Sequence, residues 1–284
     1  MGLKRIIRKV AKFIVFEQPK EKVIVHVGQI QYGKTLKDRN IVITGGGSGL
    51  GLAMAKKFIS EGAHVLIIGR NEEKLKNATL KLGNASSYFV FDVSKASEAE
   101  KFFEECEKRL KGPVDSFVSN AGVSLHENVF TNVTLEGFDK QFGINMRGNY
   151  FLCKAFLQRK LKDPGKTANL LVISSETANQ AYDIPYGMTK AAVNSMIKAF
   201  SRRVYQSGIR VNAIAPGVTL SEMTKEYADG ANGNLYRDCA SGRIFLPEEV
   251  AEVACFLLSD ASQCISGEII HTNAGNHIKT FWDK

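Results

Sequence analysis

Gly45, Gly46, Gly47, Ser48, Gly49, Leu50 and Gly51 follow an apolar run at 41–44 and lead into a helical pattern at 49–61. Glycine lets a chain turn sharply and bring its backbone close to a ligand, and the N-terminus of the helix that follows favours phosphate. The spacing is G-x-x-x-G-x-G, carried by Gly45, Gly49 and Gly51; the alternative G-x-G-x-x-G is not met, because Leu52 stands at its last position. Between a strand and a helix, this turn predicts a cradle for the pyrophosphate of a dinucleotide. The next apolar run, 64–68, is followed by Gly69, Arg70 and Asn71. A carboxylate there would bind the ribose hydroxyls of NAD(H). Arg70 instead offers a planar cation to a 2′-phosphate, so NADP(H) is expected over NAD(H).

Two Tyr-x-x-x-Lys pairs occur, Tyr150/Lys154 and Tyr186/Lys190. Residues four apart share a helix face, so each pair can bring a phenol beside an ammonium. Only Tyr186/Lys190 follows an apolar run that ends in hydroxyls, at Ser174 and Ser175. Tyr150/Lys154 reads as structural. Another motif is a decoy. Gly28, Gly33, Lys34 and Thr35 match the P-loop pattern, but only 36–40 separate Thr35 from the next strand. A P-loop needs a helix there to hold phosphate, and the usual crossover takes a dozen residues or more. An added hairpin strand or leader loop accounts for the segment.

These residues need a frame. Apolar strand candidates fall at 41–44, 64–68, 88–91, 116–119, 170–174, 210–214 and 268–271. Helical patterns lie between them at 49–61, 72–82, 96–111, 136–161, 185–206 and 247–259. The alternation predicts an α/β fold, a Rossmann-like doubly wound parallel sheet of about seven strands with helices on both faces. Ligands of such sheets bind beyond the carboxyl ends of the strands. Residues 1–36 read as a basic amphipathic leader and 37–284 as one domain.

In this order the motifs resemble the compact, single-domain branch of the short-chain dehydrogenase/reductase family. The resemblance covers about 37–275 and rests on Thr44 through Gly51, on Ser119, Asn120, Ala121 and Gly122, on Tyr186 and Lys190, on Pro216 and Gly217, and on Gly267 and Glu268. It implies that Tyr186 is the general acid/base. It also implies that Lys190 favours the phenolate and binds the nicotinamide ribose, that Ser175 rather than Ser174 polarises the substrate carbonyl, and that Asn145 holds a proton-relay water. It further places Asp92 and Val93 near the adenine, Asn120, Ala121 and Gly122 beside the cofactor, and Pro216, Gly217, Val218 and Thr219 near the nicotinamide. The implied activity is the interconversion of a carbonyl and an alcohol by hydride transfer. Two departures stand out. Ser119 replaces the usual first asparagine of its motif, and Ser175 to Tyr186 is eleven residues, shorter than usual for the family.

The substrate is left open between a 3-oxoacyl thioester, which Thr219 through Thr224 resemble, and a sugar or polyol. The glycine-containing stretch 219–243 is expected to cover it. The alternative function is a non-catalytic dinucleotide sensor or scaffold, which would have no use for the Asn145, Ser175, Tyr186 and Lys190 set.

Charge and cysteine content narrow the partners. The formal net charge is +9, and more than half of the excess lies in 1–22, where seven Lys and Arg face Glu17 and Glu21. The body is too mildly basic for a nucleic-acid footprint. Leu3, Ile6, Ile7, Val10 and Ile14 have helical spacing opposite Arg5, Arg8, Lys9 and Lys12. That pattern suits either an anionic membrane surface or an apolar patch on protein. The five scattered cysteines lack a C-x-x-C pair, so no disulfide framework and no metal site are expected. The sequence therefore reads as a cytoplasmic protein, with peripheral membrane attachment as the alternative, and family relatives suggest a homodimer or homotetramer.

Overall fold

The computed structural model describes residues 33–163, 168–225, 236 and 239–278. The amphipathic leader, most of the P-loop-like segment and the middle of 219–243 lie outside the described residues. Seven parallel strands form one sheet in the order β3-β2-β1-β4-β5-β6-β7. They are β1 (Asn40–Thr44), β2 (His64–Gly69), β3 (Ser86–Val90), β4 (Ser116–Ser119), β5 (Ala168–Ile173), β6 (Ile209–Pro216) and β7 (Ile269–Thr272). The chain builds outward from β1 to β3, then crosses back to set β4 on the other side of β1. That reversal opens a crevice at the carboxyl ends of β1 and β4, where doubly wound sheets bind their ligands.

Period-two alternation divides the strand side chains between two cores. Val42, Leu66 and Ile68 face the first, with helices α3 (Ala99–Leu110), α5 (Asn149–Leu161) and α6 (Pro185–Val204). Ile41, Ile43, Val65 and Ile67 face the second, with α1 (Gly49–Ser60), α2 (Glu72–Leu82) and α7 (Pro247–Leu258). The first core holds an aromatic cluster in which Phe103 meets Phe102 and Phe117 edge-on, at 4.9 and 5.2 Å between ring centres.

Two of the differences from the sequence patterns have a clear physical cause. The third strand begins at Ser86, two residues before the aromatic run. Among the described residues this edge strand pairs only with β2, Val65 opposite Ser86, and Ser86 Oγ donates to Gly83 O at 2.7 Å. Backbone pairing and turn bonds therefore set its start, not side-chain propensity. The 136–161 pattern is helical throughout, but not uniformly α. Helix α4 (Leu135–Gln141) passes into a π-helical turn, Phe142–Gly148, before α5. Among the described residues, no helix is long and apolar enough to cross a membrane.

Candidate active site

The glycine cradle follows β1. Gly45 has φ +68° and Gly49 φ +51°, the left-handed region that favours glycine. A methyl group on Gly51 would lie 2.2 Å from Gly45 O, so the α1 N-terminus can come this close to the turn only with glycine there. Gly47 is less confined, its nearest atom being Leu75 Cδ2 at 3.4 Å. Ser48 is the N-cap of α1, with extended backbone and no side-chain capping bond, and no acidic residue occupies the first turn. These N–H groups are thus aimed from a helix N-terminus with nothing acidic competing for them, which suits a pyrophosphate. Leu50 packs into the second core and anchors the helix start.

Thr44 and Asn120 tie the two central strands together at this point. Thr44 Oγ1 accepts from the backbone N–H groups of Asn120 (3.0 Å) and Ala121 (3.1 Å). Asn120 Nδ2 donates to Thr44 O (2.9 Å) and Gly45 O (3.2 Å). Ser119, the departure from the family motif, donates to Asn149 Oδ1 at 2.7 Å, so its hydroxyl links β4 to α5.

Arg70 is exposed beyond β2 and lies 4.0 Å from Asp92 Oδ2. Burial works against ionisation of Asp92, but the Ser94 donors, with Arg70 nearby, outweigh it and hold the carboxyl below its ordinary range. Val93 is fixed by a contact the sequence did not signal: a methyl group on Gly148 would lie 2.1 Å from Val93 O. Gly148 therefore admits the loop after β3 against the end of the π-turn.

The reactive groups gather beyond β4 and β5. The π-turn carries Asn145, whose Oδ1 accepts from Val123 N and whose Nδ2 donates to Val123 O, both at 2.8 Å. Asn145 Nδ2 also lies 3.3 Å from Thr189 Oγ1 on α6. Lys190 Nζ donates to Ile173 O at 2.8 Å and stands 5.6 Å from the centre of the Tyr186 ring. Burial alone pushes the Lys190 ammonium down to about 8. A methyl group on Gly122 would lie 3.4 Å from Asn145 Oδ1 and 3.7 Å from Lys190 Nζ, so the loop after β4 closes over both.

The serines part company. Ser174 Oγ donates to Asn194 Oδ1 at 2.6 Å and is held against α6. Ser175 caps the 3-10 turn Glu176–Asn179, its Oγ accepting from Thr177 Oγ1 at 3.0 Å. Tyr150 packs on Phe200 at 5.4 Å, and Lys154 Nζ lies 5.6 Å from the Phe151 ring centre; neither joins the group around Lys190.

After β6, which ends at Pro216, Gly217 N donates to Thr272 O at 3.1 Å and passes close to Asn273. Val218 O accepts from Phe245 N at 2.9 Å, and Thr219 Oγ1 donates back to Gly217 O at 2.9 Å. Val123, Gly148 and Thr189 were missed by sequence reasoning as parts of the site, and Thr44 was read only as the start of the glycine motif, without its link to Asn120. Thr44, a hydroxyl at a strand end beside a glycine turn, carried a usable signal; the other three are recognisable only from contacts.

Glycine cradle, switch-point crevice and the Tyr186/Lys190 helix together are those of a dinucleotide-dependent oxidoreductase. The chain belongs to the short-chain dehydrogenase/reductase family. The family model described as enoyl-(acyl carrier protein) reductase matches residues 45–277. The chain is similar to the oxidoreductase asL5 of Sarocladium schorii, 31% identical over 241 residues, which are 84% of this chain and 96% of that one. It is also similar to the 3-oxoacyl-[acyl-carrier-protein] reductase FabG of Rickettsia felis, 32% identical over 245 residues, covering 84% and 97%. Among solved structures, the 3-ketoacyl-(acyl-carrier-protein) reductase of Brucella melitensis complexed with NADH superposes with a TM-score of 0.75 at 27% identity, covering 86% of this chain and all of that one. The protein is thus an oxidoreductase of the carbonyl/alcohol class that uses a nicotinamide dinucleotide.

Proposed function

We propose that the protein is an NADP(H)-dependent carbonyl reductase or alcohol dehydrogenase, with residues 37–284 as its catalytic domain. The observation that carries this reading is the buried Lys190, bonded to Ile173 O and close to the Tyr186 ring, with Gly122 passing beside both Lys190 and Asn145. When bound in the glycine cradle, the dinucleotide supplies or takes up the hydride.

The chain's own groups do the rest. Ser175 donates its hydroxyl to the carbonyl oxygen and stabilises charge that develops there. Tyr186 delivers a proton to that oxygen, or removes one in the oxidative direction. A free phenol, with a pKa of about 10, is a poor proton carrier at neutral pH. A positive charge on Lys190 favours the phenolate and brings the phenol nearer the working range. Asn145 holds the loop after β4 and positions a relay water through which Lys190 exchanges protons with solvent. Gly45, Gly47, Ser48, Gly49, Leu50 and Gly51 hold the pyrophosphate, with Asp92 and Val93 at the adenine. Asn120, Ala121 and Gly122 line the floor, and Pro216, Gly217, Val218 and Thr219 face the nicotinamide end.

Arg70 supports NADP(H), since its exposed guanidinium projects beyond the end of β2, 4.0 Å from Asp92 Oδ2. A 3-oxoacyl thioester is the substrate class suggested by the reductases this chain resembles, and a sugar or polyol is the second reading. On this reading the protein is a cytoplasmic homodimer or homotetramer, associating through the helices at 136–161 and 185–206, where Phe151 is exposed. Residues 1–22 supply a peripheral contact with anionic membrane.

Fluorescence titration with NADPH and NADH, on the parent and Arg70→Ala, tests the cofactor reading. The expected result is tighter NADPH binding in the parent and loss of that preference in the variant. Equal preference in both proteins would overturn the role of Arg70, and binding of neither cofactor would favour a non-catalytic scaffold.

A further inference from the structure

Glu176 directly follows Ser175 and is a buried carboxylate that the reaction above does not use. Its Oε2 accepts from Asn273 Nδ2 and from Asn276 Nδ2, each at 3.0 Å. Both asparagines lie just after β7, so this end of the 3-10 turn is tied to the far edge of the sheet. The other end is tied there too, because Asn179 Nδ2 meets His271 Nε2 on β7 itself. The turn that Ser175 caps is therefore gripped at both ends by one segment.

Hydrogen-bond polarity assigns the protons in this grip from the orientation of the two amides. With Asn273 Nδ2 turned to the carboxylate, its Oδ1 faces His277 Nδ1 at 3.0 Å, so that nitrogen carries a proton. With the Asn179 amide nitrogen turned to it as donor, His271 Nε2 accepts and carries no proton. The two imidazoles stack, 3.8 Å between centres and 12° from parallel. A proton on His271 Nε2 would set N–H against N–H at Asn179 and place a cation on the face of His277.

We propose that Glu176, Asn179, His271, Asn273 and His277 form a proton-sensitive clamp that positions the Ser175 turn, closed while His271 is neutral and released when His271 is protonated. The clamp rests on the role proposed for Ser175. The other titratable groups of the cluster are His277, after β7, and Glu176, on the facing turn; the residue beside His271 on β6 is Ala215, which bears no charge. Burial, and then the charge of His277, hold His271 below its ordinary value. A lowered histidine is neutral in the fold above its unfolded value of about 6.5. The grip is thus fully present above that pH and is lost as pH falls through the lower folded value.

Hydrogen–deuterium exchange of 176–179 at pH 7.5 and 5.5, corrected for intrinsic rates, tests the clamp. In the parent, protection should fall at the lower pH by up to about tenfold, the most that a group with an unfolded value of about 6.5 can contribute at pH 5.5. In His271→Gln, whose side-chain oxygen accepts from Asn179 but does not titrate, protection should be equal at both. Glu176→Ala should lose protection at both, and Glu176→Gln should recover part of it. The kcat profile with an acetoacetyl thioester and NADPH should show an acid limb below about 6.5 in the parent that His271→Gln lacks. Identical pH responses of exchange in the parent and His271→Gln would overturn the clamp. Full activity of Ser175→Ala would instead overturn the role of Ser175, while leaving the exchange result standing.

Discussion

The side-chain amide of Asn145 forms a two-way pair with the backbone of Val123, accepting from its N–H and donating to its C=O, each at 2.8 Å. This pair makes the π-turn and the loop after β4 one unit. Each hydrogen bond contributes about 0.5–1.5 kcal/mol net. Asn145→Ala should therefore lose about 1–3 kcal/mol in urea denaturation and on the order of 10²-fold in kcat. A variant with parental kcat would remove Asn145 from the proton path.

Tyr186→Phe keeps the ring beside Lys190 and removes only the hydroxyl. General acid/base groups contribute about 10²–10⁴-fold, so kcat should fall within that range. NADPH affinity, read by fluorescence, should stay close to that of the parent. A fully active Tyr186→Phe would move the proton transfer elsewhere.

The cradle glycines should not be equally sensitive. Gly51→Ala would put a methyl group 2.2 Å from Gly45 O, whereas the nearest atom for Gly47→Ala is a flexible leucine methyl at 3.4 Å. Dinucleotide affinity should fall on the order of 100-fold or more in the first, comparable to losing about 2.7 kcal/mol, and only slightly in the second. Circular dichroism of both variants separates loss of binding from loss of fold. Equal losses would mean that close approach of α1 to the turn is not what builds the cradle.

The pH response of stability should reveal Lys190. Its folded value of about 8 lies below its unfolded value of about 10.4. Between those limits the unfolded chain binds more protons than the folded one, so the fold gains stability as pH rises through that window. The gain is complete above about 10.4 and absent below about 8. Lys190→Met removes the titration. The melting temperature of the parent should rise relative to that of Lys190→Met between pH 7.5 and 10, while the variant lacks activity throughout. A constant difference between the two would mean that Lys190 is not desolvated.

Much of this arrangement was legible in the sequence, because the relevant patterns are periodic or local. Ile41, Val42 and Ile43 announce a strand buried on both faces, and the glycine turn announces the crevice. The opposite orientations of the two serines were also within reach. Leu170 and Val172 face the first core, and continuing that alternation puts Ser174 on the same side, toward Asn194, and Ser175 on the other. The π-turn around Asn145 was not legible. Its apolar spacing is close to that of an α-helix, and the one-residue widening is favoured by contacts with Val123 and Thr189 that are distant in sequence. The start of β3 was misplaced because pairing with β2, not side-chain preference, sets it. The grip on Glu176 joins positions 97 to 100 apart and leaves no local trace.

The strand order has a consequence for synthesis of the chain. β1, β2 and β3 are complete once residue 90 has been made, yet one edge of β1 pairs only with β4, at 116–119. Until that segment leaves the ribosome, Ile41, Val42 and Ile43 stand at an open edge of unpaired N–H and C=O groups beside fully apolar side chains. Such an edge is a template for pairing with another chain. The interval of about two dozen residues is therefore a stretch of translation in which this protein needs protection from its neighbours, and slowing elongation there should increase its aggregation.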